Sequence, residues 1–309
     1  MKMPGIPALI VSVAVSAAVP CFAQKDDQQG HARAIVTILP GHSGEQMAEV
    51  SPQDVKVKVS GKESTVTSWT PLRGTDSRLE LILLIDGSAR TSLGTQFGEI
   101  TDFVKEMPAN GKLAIGYMTN GRAAMAGPLS SDSAEVLKGL RVSPGSPGSN
   151  GSPYFCLSDL AQHWPSDDRT ARRVVLMITD GVDNYERQLD LNDPYVHAAI
   201  NDSVRAGLVV YSIYWQSMGR ANSTPNATDA GQSLLTQVTH ATGGNSYWQG
   251  AGNPVSFQPY FSDLRRRLNH QYAAGIATQL RGKPDVKDLK LDLHVPSAKV
   301  DAPEWVFVN

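Results

Sequence analysis

Apolar residues in this chain follow two patterns, and the change between them divides the sequence. Val55, Val57 and Val59 are interleaved with Lys56 and Lys58, the period-two signature of a strand with one wet face. Residues 34–39 (AIVTIL) and 64–69 predict neighbouring strands, with a turn at Gly61-Lys62. From residue 79 the pattern turns solid. Leu81, Ile82, Leu83, Leu84 and Ile85 leave no polar face, so this strand is expected to be buried on both sides, as in a parallel sheet covered by helices. The run stops at Asp86-Gly87-Ser88. Beyond it Leu93, Phe97, Ile100, Phe103, Val104 and Met107 recur at helical spacing through residues 91–107.

The same strand-then-helix unit repeats. Strands are predicted at residues 112–118, 173–179, 208–215 and 246–248, and helices at 131–140, 154–164, 195–206, 233–240 and 257–271. Parallel neighbours need crossovers, so this alternation predicts an α/β fold: a doubly wound, mainly parallel sheet with helices on both faces. Two polar stretches interrupt it, SPGSPGSNGSP at 143–153 and an Asn/Ser/Thr-rich insertion at 219–229. Long polar loops of this kind in compact domains are more often functional than not. From residue 272 the period returns to two, at 272–277, 289–295 and 304–308. These late strands are expected to join the early ones in a small β unit fed from both ends. The expected division is 1–23, 24–70, 71–271 and 272–309, with a polar, irregular start at 24–30.

Residues 1–23 read as a secretory signal: Lys2 at the start, an apolar stretch at 9–19 too short to span a bilayer, and a small-x-small end at Cys21-Phe22-Ala23. A secreted or periplasmic location follows. No later segment is apolar enough for a membrane span. Removing Lys2 leaves 27 basic against 30 acidic residues in a chain of 309, a formal −3, which argues against a nucleic-acid surface. Cys156 then remains as the single cysteine, so no internal disulfide forms, and it is expected in the core.

The candidate chemistry lies where buried strands end. Asp86 follows the first buried strand, and Asp180 follows the strand at 173–179 in Thr179-Asp180-Gly181. Open α/β sheets place ligands at this carboxyl edge. Ser88 stands two residues after Asp86, and the polar loop adds hydroxyls at Ser149 and Ser152. Two carboxylates with hydroxyls make a hard-oxygen cation site of low net charge. Asp before Gly is also ordinary turn chemistry, and either Asp alone reads equally as a helix cap.

Residues 79–271 resemble a von Willebrand factor A (VWFA) domain, and the whole layout is similar to exported VWFA-related proteins typified by acidobacteria. The resemblance implies a metal-ion-dependent adhesion site of Asp-x-Ser-x-Ser, a Thr from a Gly-rich loop, and an Asp before Gly. Asp86 and Ser88 match the first two ligands, Asp180 the last, and Ser152 stands for the Thr, with Ser149 second. Where the third ligand, a Ser, is expected, this chain has Arg90. A guanidinium cannot ligate a cation and stays charged. Turned inward about 4 Å from a divalent ion it would oppose binding by roughly 8 kcal/mol at an effective dielectric of 20; turned outward it would leave weak Mg²⁺ or Ca²⁺ binding. A third arrangement puts Arg90 in the metal's place, bridging Asp86 and Asp180 and offering its charge to a partner's carboxylate. The resemblance therefore implies a non-catalytic, exported module that binds another protein through an acidic side chain, with a degenerate metal site.

Two other readings compete. A scaffold whose site is lost is favoured by Arg90. A Rossmann-like hydrolase would use Asp86 as nucleophile, but wants a second carboxylate two residues later, where Ser88 stands. No Gly-x-Ser-x-Gly elbow, phosphate loop or His-Glu-x-x-His helix occurs.

Overall fold

The computed structural model describes Met1 and residues 28–41, 50–74, 77–143, 145, 151–185, 190–218, 224–280, 282–295 and 297–309. The leader at residues 2–23, Ser149, and residues 219–223 of the polar insertion lie outside the described residues. The fold is α/β and holds two sheets.

The strand that begins the solid apolar run, β4 (Leu79–Asp86), is buried at all eight positions. Its side chains alternate between two cores. Leu81, Leu83 and Ile85 pack with Phe103 of α1 (Phe97–Lys105) and with Phe261 and Leu264 of α6 (Gln258–Leu268). Ile82 and Leu84 face the other way, toward Leu157 of α3 (Pro153–Gln162), Ala199 of α4 (Pro194–Ala206) and Leu234 of α5 (Pro225–Thr242). Each such side chain, fully buried, contributes about 1.5–3 kcal/mol, so a strand apolar on both faces is stable only between two helical layers. β4 pairs in parallel with β5 (Gly111–Thr119) and β7 (Arg172–Thr179), and β7 with β8 (Leu208–Tyr214). The short β9 (Ser246–Tyr247) continues the sheet in parallel, while β6 (Arg122–Met125) closes its other edge antiparallel.

The β unit expected to be small is a seven-stranded antiparallel sheet, with more strands than the sheet that carries β4. It draws β1 (Gln28–Pro40), β2 (Val55–Val59) and β3 (Lys62–Pro71) from the early chain. The late chain adds β10 (Gln271–Leu280), β11 (Asp285–Leu293), β12 (Ala298–Asp301) and β13 (Trp305–Val308). β2 lies against β11, with Val57 opposite Leu291, and β1 runs the full length of β10. Pairing with residues 278–280 is what makes Gln28-Gln29-Gly30 a strand, where their polarity had suggested irregular chain. β2 keeps its alternation, with its three valines buried and its lysines at the surface.

Three other expectations are corrected. The helix predicted over residues 91–107 begins as a 3-10 turn, Thr91–Gln96, before α1; Gly94 and the β-branched Thr91 and Thr95 weaken a regular start. Helix α2 is short, Ser133–Leu137, and is capped by Asp132. The polar insertion at 219–229 already contains the start of α5: Thr224 is its cap, Pro225 its first residue, and Ala227, Thr228, Ala230 and Gly231 are buried.

The two sheets are joined at a buried polar junction directly after α6. Gln271, on β10, donates to the Thr37 hydroxyl of β1 at 3.2 Å and to the Tyr211 hydroxyl of β8 at 3.0 Å, and its Oε1 accepts from Arg172 of β7 at 2.6 Å. The consecutive arginines at 265–267 are paired. Arg265 meets Glu106, and Arg267, mostly buried, bridges Asp263 on α6 and Asp301 on β12. Burial alone would raise the Asp263 carboxyl, but the bonds from Arg267 and Arg266 outweigh it and hold the group below its ordinary value.

A depressed carboxylate contributes stability fully above its unfolded value, near 3.9, and loses that contribution as pH falls through the folded value. Asp263→Asn is therefore expected to lower stability at pH 7, with the difference from wild type shrinking as pH falls below about 4. Urea denaturation across that range checks it; a difference independent of pH would refute the ion-pair account.

Candidate functional site

The site is assembled from four loops at the carboxyl ends of β4, β7 and β8 and at the start of α3. Asp86, the last residue of β4, is fully buried. Its Oδ1 accepts the backbone N–H and the hydroxyl of Ser88, both at 2.7 Å, and its Oδ2 accepts the Thr179 hydroxyl of β7 at 2.7 Å. Such bonding is what makes a buried carboxylate tolerable, because an unsatisfied one is costly. Gly87 is required between the two: its N–H donates to the Met118 carbonyl at 3.0 Å, and a Cβ there would stand 2.3 Å from that oxygen.

Asp180 is likewise fully buried. Its Oδ1 accepts the Val182 N–H at 3.0 Å, and its Oδ2 accepts the hydroxyl of Ser217, from the loop after β8. Gly181 follows at φ +70°, a conformation that L side chains rarely adopt. The opposite wall is Gly231 of α5, where a Cβ would lie 2.1 Å from the Asp180 carbonyl oxygen. The helix reaches the acidic loop only because it has a glycine there.

Ser152 caps α3, its Oγ accepting the Tyr154 N–H at 3.2 Å, and it donates to Asp183 Oδ2 at 2.8 Å. Asp183 is 3% exposed and was not singled out in the sequence, although the spacing Asp180-Gly-Val-Asp183 repeats a carboxylate three residues on. Ser217 and Thr179 were missed as well. Ser217 lies past a strand end with no motif to mark it, and Thr179 is a hydroxyl inside an apolar run.

Arg90 is half-buried, and its Nε donates to the Ser217 carbonyl at 3.3 Å. Its side chain therefore lies along the loop after β8, next to the residue whose hydroxyl serves Asp180. Both charges reach Tyr214: burial raises that phenol, Asp180 raises it further, and Arg90 opposes them. Ser88, Arg90 and the β8 loop are tied by backbone bonds too, Met218 N–H to the Ser88 carbonyl at 2.6 Å and Arg90 N–H to the Gln216 carbonyl at 3.1 Å.

The acidic loops dominate the local field. Burial, then Asp183 and Asp180, push the Tyr154 hydroxyl well above its ordinary value; burial, then Asp86, do the same to the Cys156 thiol. The donor set of Asp86, Ser88, Ser152, Asp180 and the newly found Asp183 is all hard oxygen and fits Mg²⁺ or Ca²⁺ in type. It does not fit a nitrogen- or sulfur-preferring metal, and no cluster of three His, Cys, Asp or Glu able to hold a metal occurs among the described residues. The position Arg90 occupies contributes no ligand. A carboxylate offers about four lone-pair sites; Asp86 already uses three, which leaves little for a cation without a shift of Ser88 or Thr179.

No protein-family model and no curated protein matches this sequence. Solved structures do resemble it. An aerotolerance-related membrane protein of Bacteroides fragilis is 15% identical, over 62% of this chain and 98% of that one, at a TM-score of 0.44. The manganese-loaded TRAP protein of Plasmodium vivax is 12% identical over 75% and 95%, at 0.41. The SpRpn10 VWA domain is 13% identical over 58% and 98%, at 0.32. These are likenesses of fold at low identity, and the reading of the site rests on its own residues.

Two outcomes are expected. Gly231→Ala should destabilise the protein by about 1–3 kcal/mol in urea denaturation, the usual effect of overpacking, and an unchanged midpoint would mean that α5 and the Asp180 loop are not in contact. Cys156, buried with its thiol pushed up, should resist a thiol-specific disulfide reagent at pH 8 in the native state and react once unfolded. Rapid native labelling would contradict the packing of α3.

Proposed function

We propose that the chain is an exported, non-catalytic protein-binding module of adhesion type, in which a VWFA-like, doubly wound domain at residues 71–271 presents a degenerate cation site at the end of β4. The observation that carries this reading is the placement of three buried carboxylates, Asp86, Asp180 and Asp183, on neighbouring loops of one sheet edge, each bonded to a hydroxyl of Ser88, Ser152, Thr179 or Ser217. Helix capping alone needs neither the second carboxylate nor bonds that cross from loop to loop. Asp86 is a poor nucleophile, with three donors on its oxygens and no exposure, and this supports binding over hydrolysis.

Residues Asp86, Ser88, Ser152 and Asp180 would hold Mg²⁺ or Ca²⁺ weakly, and the ion would offer an open position to a partner's carboxylate. Ser149, from the same loop as Ser152, and Arg90 are assigned to partner contact. The location of Arg90 beside Ser217 favours a second reading, a scaffold in which the metal is lost and the guanidinium itself attracts the acidic partner. No helix among the described residues is long and apolar enough to cross a membrane.

Isothermal titration of Mg²⁺, Mn²⁺ and Ca²⁺ into chelator-stripped protein separates the two. Weak saturable binding that disappears in Asp86→Ala is expected, and Arg90→Ser should tighten it at least tenfold by removing a nearby positive charge. Absence of binding at millimolar metal in both wild type and Arg90→Ser would sink the cation reading and leave the scaffold.

A further inference from the structure

A cavity of about 370 Å³ opens at the other end of the parallel sheet, where β1 and β13 meet the start of β7 and the end of α4. Among the described residues its lining includes His31, Arg33, Arg169, Arg173 and Arg205 and no Asp or Glu, with Asn309 beside them; the Phe307 ring forms an apolar side, with the Arg205 guanidinium over it at 5.0 Å. An adjoining cavity of about 360 Å³ shares Arg169, Arg173 and Arg205. Four guanidiniums around one cavity repel one another, and an anion between them would ease that repulsion.

The nearby acids already have partners, one of them an arginine of the cavity. Asp285 pairs with Arg205 at 2.8 Å, and Asp168 pairs with Arg78 at 2.8 Å. Glu80 accepts the Trp164 indole at 2.7 Å, and Asp202 accepts from Gln162 at 2.7 Å. Asp167 and Asp202 line the adjoining cavity only. The carboxyl end of α4 also points here, but a helix end amounts to about half a negative charge, far less than four arginines.

Arg173 is the decisive residue. It is 5% exposed, its Nη2 donates to the Ser166 carbonyl at 2.8 Å, and its guanidinium lies over the Trp164 ring at 5.4 Å. Its Nε is buried and has no hydrogen-bond partner. A buried unsatisfied donor on a charged group is costly, and here it belongs to a side chain that lines the cavity. Burial, then the charge of Arg169, lower its proton affinity, and the carboxylates of Glu80, Asp168 and Asp167 only partly offset them; a bound anion would add to that offset.

We propose that this cleft binds a multivalent oxyanion, a phosphate ester or polycarboxylate, gripped by the forks of Arg33, Arg169, Arg173 and Arg205 with its carbon portion against Phe307. Arginine's planar fork suits both kinds of oxyanion. The site is independent of the Asp86 loops, which lie at the opposite edge of the sheet.

Titration calorimetry of the full chain with pyrophosphate and with citrate in low-chloride buffer tests this. One-to-one binding is expected, weakened by salt and weakened at least tenfold in Arg169→Ala/Arg205→Ala. Both replaced residues are exposed, and a thermal melt checks that the variant folds; Arg169→Glu replaces it if it does not. Stronger binding of pyrophosphate assigns the phosphate class, and stronger binding of citrate the carboxylate class. No saturable binding of either at millimolar concentration, or affinity unchanged in the variants, overturns the proposal.

Discussion

The candidate site depends on one constraint: β4 ends inside the protein, so the charge of Asp86 must be satisfied without water. Three of its hydrogen bonds come from Ser88, on its own loop, and Thr179, on the neighbouring strand. The Thr179 bond exists only because β4 and β7 are in register, with Ile85 opposite Ile178. A slip of one residue would turn every side chain of β7 to the wrong core and remove a donor from the buried carboxylate. Strand register and site geometry are therefore the same fact, held by the apolar runs on both strands.

Arg90 acts within that frame through Ser217. The Ser217 carbonyl receives the guanidinium Nε, while its hydroxyl serves Asp180. Unit charges about 4 Å apart interact by roughly 4 kcal/mol at an effective dielectric of 20, and a divalent ion doubles that. A guanidinium near a cation site weakens its hold on the ion. Moving the guanidinium outward would sacrifice its bond to the Ser217 carbonyl, so the loop after β8 sets how strongly Arg90 opposes a cation.

Much of this was legible in the sequence, and the exceptions have physical causes. The buried strands announced themselves because burial on two faces leaves no room for polar residues, and Asp86, Ser88, Ser152 and Asp180 do stand in buried, interlinked loops at their ends. The start of α5 was hidden because its buried residues are Ala, Thr and Gly, chosen for close approach and not for hydrophobicity. β6 and β12 are four residues each and take their conformation from their partners. Asp183 and Ser217 carry no local signal, since their roles depend on bonds to residues 31 and 37 positions away in the chain. The orientation of Arg90 was equally invisible, because a loop contributed by β8 decides it.

The parallel sheet separates much of its charge along its length, although the buried Glu80 stands opposite Arg173 at the amino edge. Its carboxyl edge gathers Asp86, Asp180 and Asp183, and its amino edge gathers Arg172 and Arg173 at the start of β7, with Arg169 just before. Neither group is incidental to burial: Arg172 and Arg173 are each 5% exposed, and the three carboxylates 3% or less. Charges of one sign buried together are held there by bonds to neutral groups, at a cost in stability that apolar residues of similar size would avoid. A fold that bears this cost at both edges surrounds the acids with hydroxyls and N–H groups and the arginines with carbonyls, and so holds charge of opposite sign at its two ends.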